Sequence, residues 1–397
     1  MNTRLLGGVL LIIGTTIGGA MLALPIATSQ LGFIYSSLLL ACAWFIMTVS
    51  AFLILEVNLW LPRNNNMISM AKATLGVPGQ AVAWVTYLLL LYSLLAAYIT
   101  GGGDFFQSLF AQGGLPVTTA ISSILFTCAL GFIVYLGIRS IDYVNRILMF
   151  SKLGAYILLV VLIAPLLAPI KLKGGELSYL LHSATLCVLS FGFATIVPSL
   201  RIYFNDNKKQ LQQAILLGSF IPLICYILWN MSIMGVIPRD GSNGLIALLA
   251  SNRSTSELVE QLNVILHHPI ITDIARFFTS ICLATAFLGV SLGLTDFLAD
   301  GFAIEKKGWK HIAILLVAFI PPLLIALFYP GAFVKVLSYA GIYCSILMIL
   351  LPALMVWRGR YHKQIANGFR VPGGKWLLSL LIIISVSVII LSAMALP

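Results

Sequence analysis

Apolar residues dominate the chain in long runs, separated by short stretches rich in charge, Gly, Pro and Asn. The runs cover roughly 5–32, 34–61, 80–103, 119–138, 146–169, 180–201, 211–237, 270–299, 311–328, 333–356 and 375–396. A bilayer crossing needs about 20 such residues in a helix, so the pattern predicts an all-α integral membrane protein with eleven transmembrane helices. Two longer polar stretches interrupt it. Asn64 to Pro78 reads as an interfacial segment, and Arg239 to His268 as a loop whose amphipathic part, Glu257 to Leu266, caps one mouth of the bundle.

Two runs contain residues that a helix in lipid ordinarily avoids. The first carries Gly14-Thr15-Thr16-Ile17-Gly18-Gly19-Ala20-Met21-Leu22-Ala23-Leu24-Pro25, and the sixth carries Ser190-Phe191-Gly192-Phe193-Ala194-Thr195-Ile196-Val197-Pro198. Unpaired backbone groups survive at membrane depth only where protein buries them or they line a cavity, so both stretches are expected to break at a site. Close helix packing is the competing reading of the first, because Gly14 and Gly18 have Gly-x-x-x-Gly spacing. The matching break five spans later favours a site. An odd number of spans between them makes the second copy run in the opposite direction, the inverted repeat of many secondary transporters. The expected halves are 5–169 and 180–356, with 375–396 added to a five-plus-five core.

A broken helix offers free N–H groups at the start of its outgoing half and free carbonyls at the end of its incoming half. The first attract a carboxylate and the second an ammonium or a cation. Two antiparallel breaks can therefore grip an amino acid by backbone alone. Thr15 and Thr16 add hydroxyls, and Phe191 and Phe193 add apolar walls. Tyr92 and Tyr98 in the third span and Phe287 in the eighth are placed to flank the site, with packing as the competing role for each.

Composition agrees with the periodicity: 60% of residues are hydrophobic and 9% charged, against about 25% charged in soluble domains. The net charge of +11 needs no nucleic acid. With a cytoplasmic N-terminus, only Lys171, Lys173, Arg239, Arg253, Arg276 and Lys335 of the 23 Lys and Arg fall outside. That bias fixes the orientation and places the basic face against anionic lipid. The run through Pro25 lacks a cleavage site and is expected to remain as the first helix. The six cysteines are scattered singly, so no metal, cofactor or disulfide is expected. A membrane enzyme would need a nucleophile with its base, or paired carboxylates, at mid-depth, and no such set is present. A channel stays open as an alternative, since breaks also line pores.

Motifs along the chain then resemble a known family. They include Gly14-Thr15-Thr16-Ile17-Gly18 with Met21-Leu22-Ala23, Leu55-Glu56-Val57, Ala96-Ala97-Tyr98-Ile99 with Gly101, and Asn145-Arg146 with Lys152. Ser190-Phe191-Gly192-Phe193 with Val197-Pro198-Ser199 continues the series, followed by Leu283-Ala284-Thr285 with Phe287-Leu288-Gly289-Val290. Asp296 with Leu298-Ala299-Asp300, Pro321-Pro322 with Ala326-Leu327-Phe328-Tyr329-Pro330, and Tyr339-Ala340-Gly341 complete it. Over nearly its whole length the chain resembles the hydroxy/aromatic amino acid permeases, above all their tyrosine- and tryptophan-specific members. The resemblance implies a LeuT-type fold of eleven spans and uptake of an aromatic amino acid with a proton across the bacterial inner membrane, by a protein expected to work as a monomer. The family follows the Phe-Gly-Phe of the sixth span with His-Gly, where this chain has Ala194-Thr195. Tyrosine is the foremost candidate, with tryptophan and phenylalanine also open.

Ionisable residues at membrane depth usually mark pathways. Lys152 either snorkels to the interface or sits beside the broken first helix and Thr285, where its ammonium takes the place of a sodium ion and its proton provides coupling. A sodium-coupled carrier is the rival that Lys152 argues against. Arg4, Asp296 and Asp300 either anchor at the interface or form an inner gate, with Glu56 a further gate candidate. Enlarging Gly18 is expected to abolish transport of every substrate, whereas changes at Ala194 or Thr195 are expected to alter preference.

Overall fold

The computed structural model describes residues 3–63, 65–251, 254–302, 304 and 306–395. Asn64 and Arg253 lie outside them. The first span is a bent pair, α1 (Thr3–Thr16) and α2 (Ala20–Ala27), whose axes meet at 54°. It is followed by α3 (Gly32–Trp60), α4 (Met67–Leu75), α5 (Val77–Gln112), α6 (Thr119–Tyr135) and α7 (Ile138–Ile163). The next segment divides into α8 (Leu180–Ser190), a 3-10 turn (Gly192–Ile196) and α9 (Val197–Tyr203). Beyond it lie α10 (Lys208–Val236), α11 (Leu245–Ala250), α12 (Ser254–Leu266), α13 (Pro269–Gly301) and α14 (Gly308–Phe328), then α15 (Phe333–Ser345), α16 (Leu351–Tyr361) and α17 (Gly374–Ala395).

Among the described residues, nine helical spans are long and apolar enough to cross a membrane, and the bent α1–α2 pair makes ten. The chain is thus a multi-pass membrane protein. The remaining apolar helix, α6, has 17 residues, a length of about 25 Å at 1.5 Å per residue. The expected count of eleven requires this short helix to cross as well.

Local chemistry sets the element ends. Asn66 and Ser69 form a reciprocal capping box at the start of α4, and Gly76, at φ +83°, turns the chain into α5, whose first turn contains Pro78. Asn207 caps α10 by accepting from the Gln210 N–H at 3.2 Å. Between α15 and α16 the helix widens into a π turn at Ile346–Leu350. Pro352 accounts for it, because a helical proline donates no hydrogen bond and its ring pushes on the carbonyl four residues back. That carbonyl belongs to Met348 and accepts from the Ser50 hydroxyl instead.

One end of the bundle carries the N-terminus. There a Cβ on Gly7 would strike the Tyr203 hydroxyl, and one on Gly359 would strike the Trp60 ring. Trp84 and Tyr87 of α5 pack on Phe297 of α13 at centroid distances of 5.3 and 5.1 Å. This near end thus gathers α1, α9, the end of α3, α16, the start of α5 and the end of α13. At the far end, α12, which contains the amphipathic stretch 257–266, packs on both α5 and α13.

Candidate functional site

The first break is narrower than Gly14 to Pro25. α1 continues through Gly14 to Thr16 and α2 starts at Ala20, leaving Ile17, Gly18 and Gly19 unwound. Pro25 is the sixth residue of α2, inside the helix. Ile17 keeps its N–H on the Ile13 carbonyl at 2.9 Å. Among the described residues, the N–H groups of Gly18, Gly19 and Ala20 donate to no oxygen. They form the start of an outgoing half-helix, with Met21 buried behind them.

The carbonyls of the incoming halves are already engaged. Lys152, on α7 and 3% exposed, donates from Nζ to the Ile17 carbonyl at 2.5 Å. Its ammonium sits where the α1 dipole is negative. Tyr226, fully buried on α10, has its hydroxyl 2.6 Å from the Thr16 carbonyl and 2.9 Å from that of Ser190. Thr16 ends α1 and Ser190 ends α8, so one phenol joins the two breaks.

Steric limits at the break differ between its two glycines. A Cβ on Gly19 would lie 2.5 Å from Tyr98 Cε1, whereas a Cβ on Gly18 would meet only the Ala286 Cβ, at 3.8 Å. The demand for glycine therefore falls on Gly19, against which the buried Tyr98 ring is pressed. Gly18 tolerates a methyl group. In the second break, Phe191 is fully buried and its ring meets Tyr226 edge-on at 5.3 Å. Phe193 and Ala194 are also fully buried, while Gly192 and Thr195 are partly exposed. The 3-10 turn that holds them packs against α1 and α3.

Other anticipated site residues have partners within the protein. The Thr15 and Thr16 hydroxyls donate back to the Ile12 carbonyl of their own helix, at 2.9 and 2.6 Å. The Thr285 hydroxyl likewise donates to Ile281 O at 2.8 Å. Tyr92 donates to the Val317 carbonyl of α14 at 2.8 Å, and the Phe287 ring lies between Phe126, at 5.4 Å, and Phe319, at 5.7 Å. Tyr92 and Phe287 thus knit α5, α13, α6 and α14 together.

Of the charged residues, Glu56 is fully buried and forms a two-point ion pair with Arg360, whose Nε donates at 2.7 Å. It also accepts from the Val371 N–H at 2.8 Å. Asp296 pairs with Lys306. Arg4 and Asp300 are both exposed at the near end. Along α1, the positions Arg4, Leu11 and Thr15 are exposed, and Gly18 just beyond its end is partly exposed; Ala286, Gly289, Gly293, Asp296 and Asp300 along α13 are likewise exposed or partly exposed. A Cβ on Gly289 or Gly293 would meet nothing within 4 Å. From the Gly18–Ala286 approach, Arg4 and Asp300 each lie fourteen residues toward the near end.

Two residues escaped sequence reasoning. Tyr226 gave one signal, a hydroxyl-bearing residue in the middle of an apolar run. Asp104 gave a clearer one, an acid following Gly101-Gly102-Gly103 in a membrane span. The Asp104 carboxylate is buried and accepts from the Thr255 hydroxyl at 2.6 Å and the Ser256 N–H at 2.9 Å. It thereby caps the start of α12 and fastens that helix to α5.

Comparisons with known proteins agree with this architecture. The profile of the tryptophan/tyrosine permease family matches residues 1–392. The tyrosine-specific transport system 2 of Haemophilus influenzae is 33% identical over 397 residues, covering 98% of this chain and 96% of that protein. The tryptophan-specific transport protein of the same organism is 31% identical, covering 97% and 94%. Among solved structures, MhsT in complex with L-phenylalanine superposes with a TM-score of 0.64 at 16% identity, covering 99% of this chain and 98% of that one. The fold is therefore the LeuT type. The family and these relatives are transport proteins rather than enzymes, and the chain belongs to the tryptophan/tyrosine permease family.

Proposed function

We propose that the protein imports an aromatic amino acid by proton symport with alternating access, across the bacterial inner membrane and with its near end in the cytoplasm. The observation that carries this reading is the set of N–H groups at Gly18, Gly19 and Ala20, which donate to no oxygen among the described residues. They face the unwound end of a helix whose carbonyls hold cationic or hydroxyl donors. A carboxylate is the complement of such N–H groups at a half-helix start, and an ammonium on the adjacent carbon is the complement of the carbonyls. The relatives named for tyrosine and tryptophan support an aromatic side chain, and Phe191, Phe193 and Tyr98 supply apolar surface beside the breaks.

Lys152 is the coupling group in this reading. Its ammonium occupies the carbonyl end of α1 where a metal cation would otherwise be needed, and release of its proton loosens the tie between α7 and the break. The expected repeats, 5–169 and 180–356, supply one break each. The exposed faces of α1 and α13 form the inner pathway, which closes when Arg4 reaches Asp300 or Asp296. Binding of labelled tyrosine to purified protein tests the recognition step. Tyrosine should compete fully, whereas tyramine, which lacks the carboxylate, should compete at least about a hundredfold less well, as for a lost charge-assisted bond network. Equal competition by tyramine would remove the backbone carboxylate site from the account.

A further inference from the structure

The Tyr226 hydroxyl has one proton and faces two carbonyls, those of Thr16 and Ser190. A phenol donates to one acceptor at a time, so the pair is never fully served by the protein alone. Both carbonyls close incoming half-helices, and both belong to buried residues. An ammonium carries three protons and can serve both at once.

We infer that Tyr226 is an internal stand-in for the substrate's ammonium group: in the empty carrier its phenol shares one proton between the carbonyl ends of the two breaks, and it yields both carbonyls when an amino acid binds. The inference rests on the proposed recognition of a zwitterion at the breaks and adds a role for the empty state. A transporter that accumulates substrate has to return empty, and a buried carbonyl left without any donor is costly. Tyr226 lowers that cost for the empty protein by serving one carbonyl at a time, whereas the loaded protein has the ligand's own protons. It is a positioning residue, because it holds Thr16 and Ser190 rather than the moving molecule.

The direction of the effect follows. Tyr226→Phe keeps the ring that packs on Phe191 and removes the donor, which penalises the empty state more than the loaded one. Amino acids should therefore bind the variant about tenfold more tightly than the wild type, the size set by one buried hydrogen bond. The des-amino analogue 3-(4-hydroxyphenyl)propionate should gain nothing, since it brings no protons for the carbonyls. Net uptake into proteoliposomes should fall more than exchange of internal for external substrate, because only net uptake requires the empty return.

The measurement is equilibrium binding of tyrosine, tryptophan, phenylalanine, glutamine and the des-amino analogue to both proteins. Tighter amino acid binding with no gain for the analogue supports the inference. Unchanged or weaker amino acid binding overturns it. Glutamine binding without aromatic binding would overturn the proposed substrate class, while a selective gain for glutamine in the variant would still support the role of Tyr226. If no amino acid binds the wild type, both fall. A variant that folds only with amino acid present supports the inference, and one that the ligand does not stabilise contradicts it.

Discussion

The ammonium nitrogen of Lys152 lies 2.5 Å from the carbonyl oxygen of Ile17, the first residue past the end of α1. A buried lysine on α7 thus completes the broken end of α1. The contact separates two readings that the sequence left open, since a snorkelling lysine would reach for the interface whereas this one is 3% exposed. It also sets the order of importance among the substitutions below, because whatever disturbs Ile17 to Ala20 disturbs both the unpaired N–H groups proposed to hold a carboxylate and the Lys152 contact.

Gly19→Ala should be far more damaging than Gly18→Ala. The added methyl at Gly19 would stand 2.5 Å from the Tyr98 ring, while at Gly18 it would rest 3.8 Å from Ala286. Overpacking of this kind costs about 1–3 kcal/mol, so tyrosine uptake by Gly19→Ala should drop about tenfold or more, with Gly18→Ala the milder variant. Side-by-side initial rates in cells expressing equal amounts of each protein provide the check. The reverse ranking would mean that the break is organised differently.

Glu56→Gln should unfold more easily without altering substrate preference. Its carboxylate is fully buried, the Arg360 partner is 6% exposed, and Val371 adds a third hydrogen bond. Removing one member of a buried pair costs about 3–5 kcal/mol. Thermal denaturation in detergent should show a clearly lower midpoint, and a variant as stable as the parent would show the pair to be energetically idle.

Arg4→Asp and Asp300→Arg should each impair transport and together restore part of it. The two positions are equally far along their helices from the Gly18–Ala286 approach, so closing α1 onto α13 brings opposite charges together at one depth. Asp296, held by Lys306, should show the weaker rescue when swapped with Arg4. Absence of rescue at both aspartates would remove the gate and leave interface anchoring.

Asp206 provides a pH signature outside the membrane. Hydrogen bonds from Arg201, at 2.6 Å, and from Arg63 hold its carboxyl below the usual carboxylate range. A depressed folded value stabilises the protein at all pH above the ordinary value of 3.8 and loses that contribution as pH falls through the folded one. Asp206→Asn should therefore be less stable than the wild type at neutral pH, with the gap closing only below about pH 4. A gap that persists unchanged in strong acid would assign the effect to something other than the carboxylate.

How much of this was legible in the sequence depended on whether a residue's meaning was local. Gly18-Gly19 and Phe191-Gly192 announced the breaks because glycine in an apolar run is a local anomaly, and Lys152 stood out as a lone charge in the same way. Pro25 misled, because a proline fits inside the first two turns of α2. Tyr92 and Phe287 meet α14 and α6, which apolar periodicity could not say, because it places a ring in the interior without naming its neighbour. Glu56, Tyr226 and the π turn depend on partners far along the chain. Arg360 lies 304 residues from Glu56, Ser190 is 36 from Tyr226, and Ser50 is 298 from Met348. Only the folded chain brings these together.

The most direct test is accumulation of labelled tyrosine, tryptophan and phenylalanine in proteoliposomes, with proton and sodium gradients imposed separately on the wild type and on Lys152→Ala. The expected result is concentrative uptake of at least one aromatic amino acid under the proton gradient alone, and its loss in the variant. Accumulation driven by sodium alone, or a Lys152→Ala protein that still concentrates substrate with an unchanged pH dependence, would contradict the account.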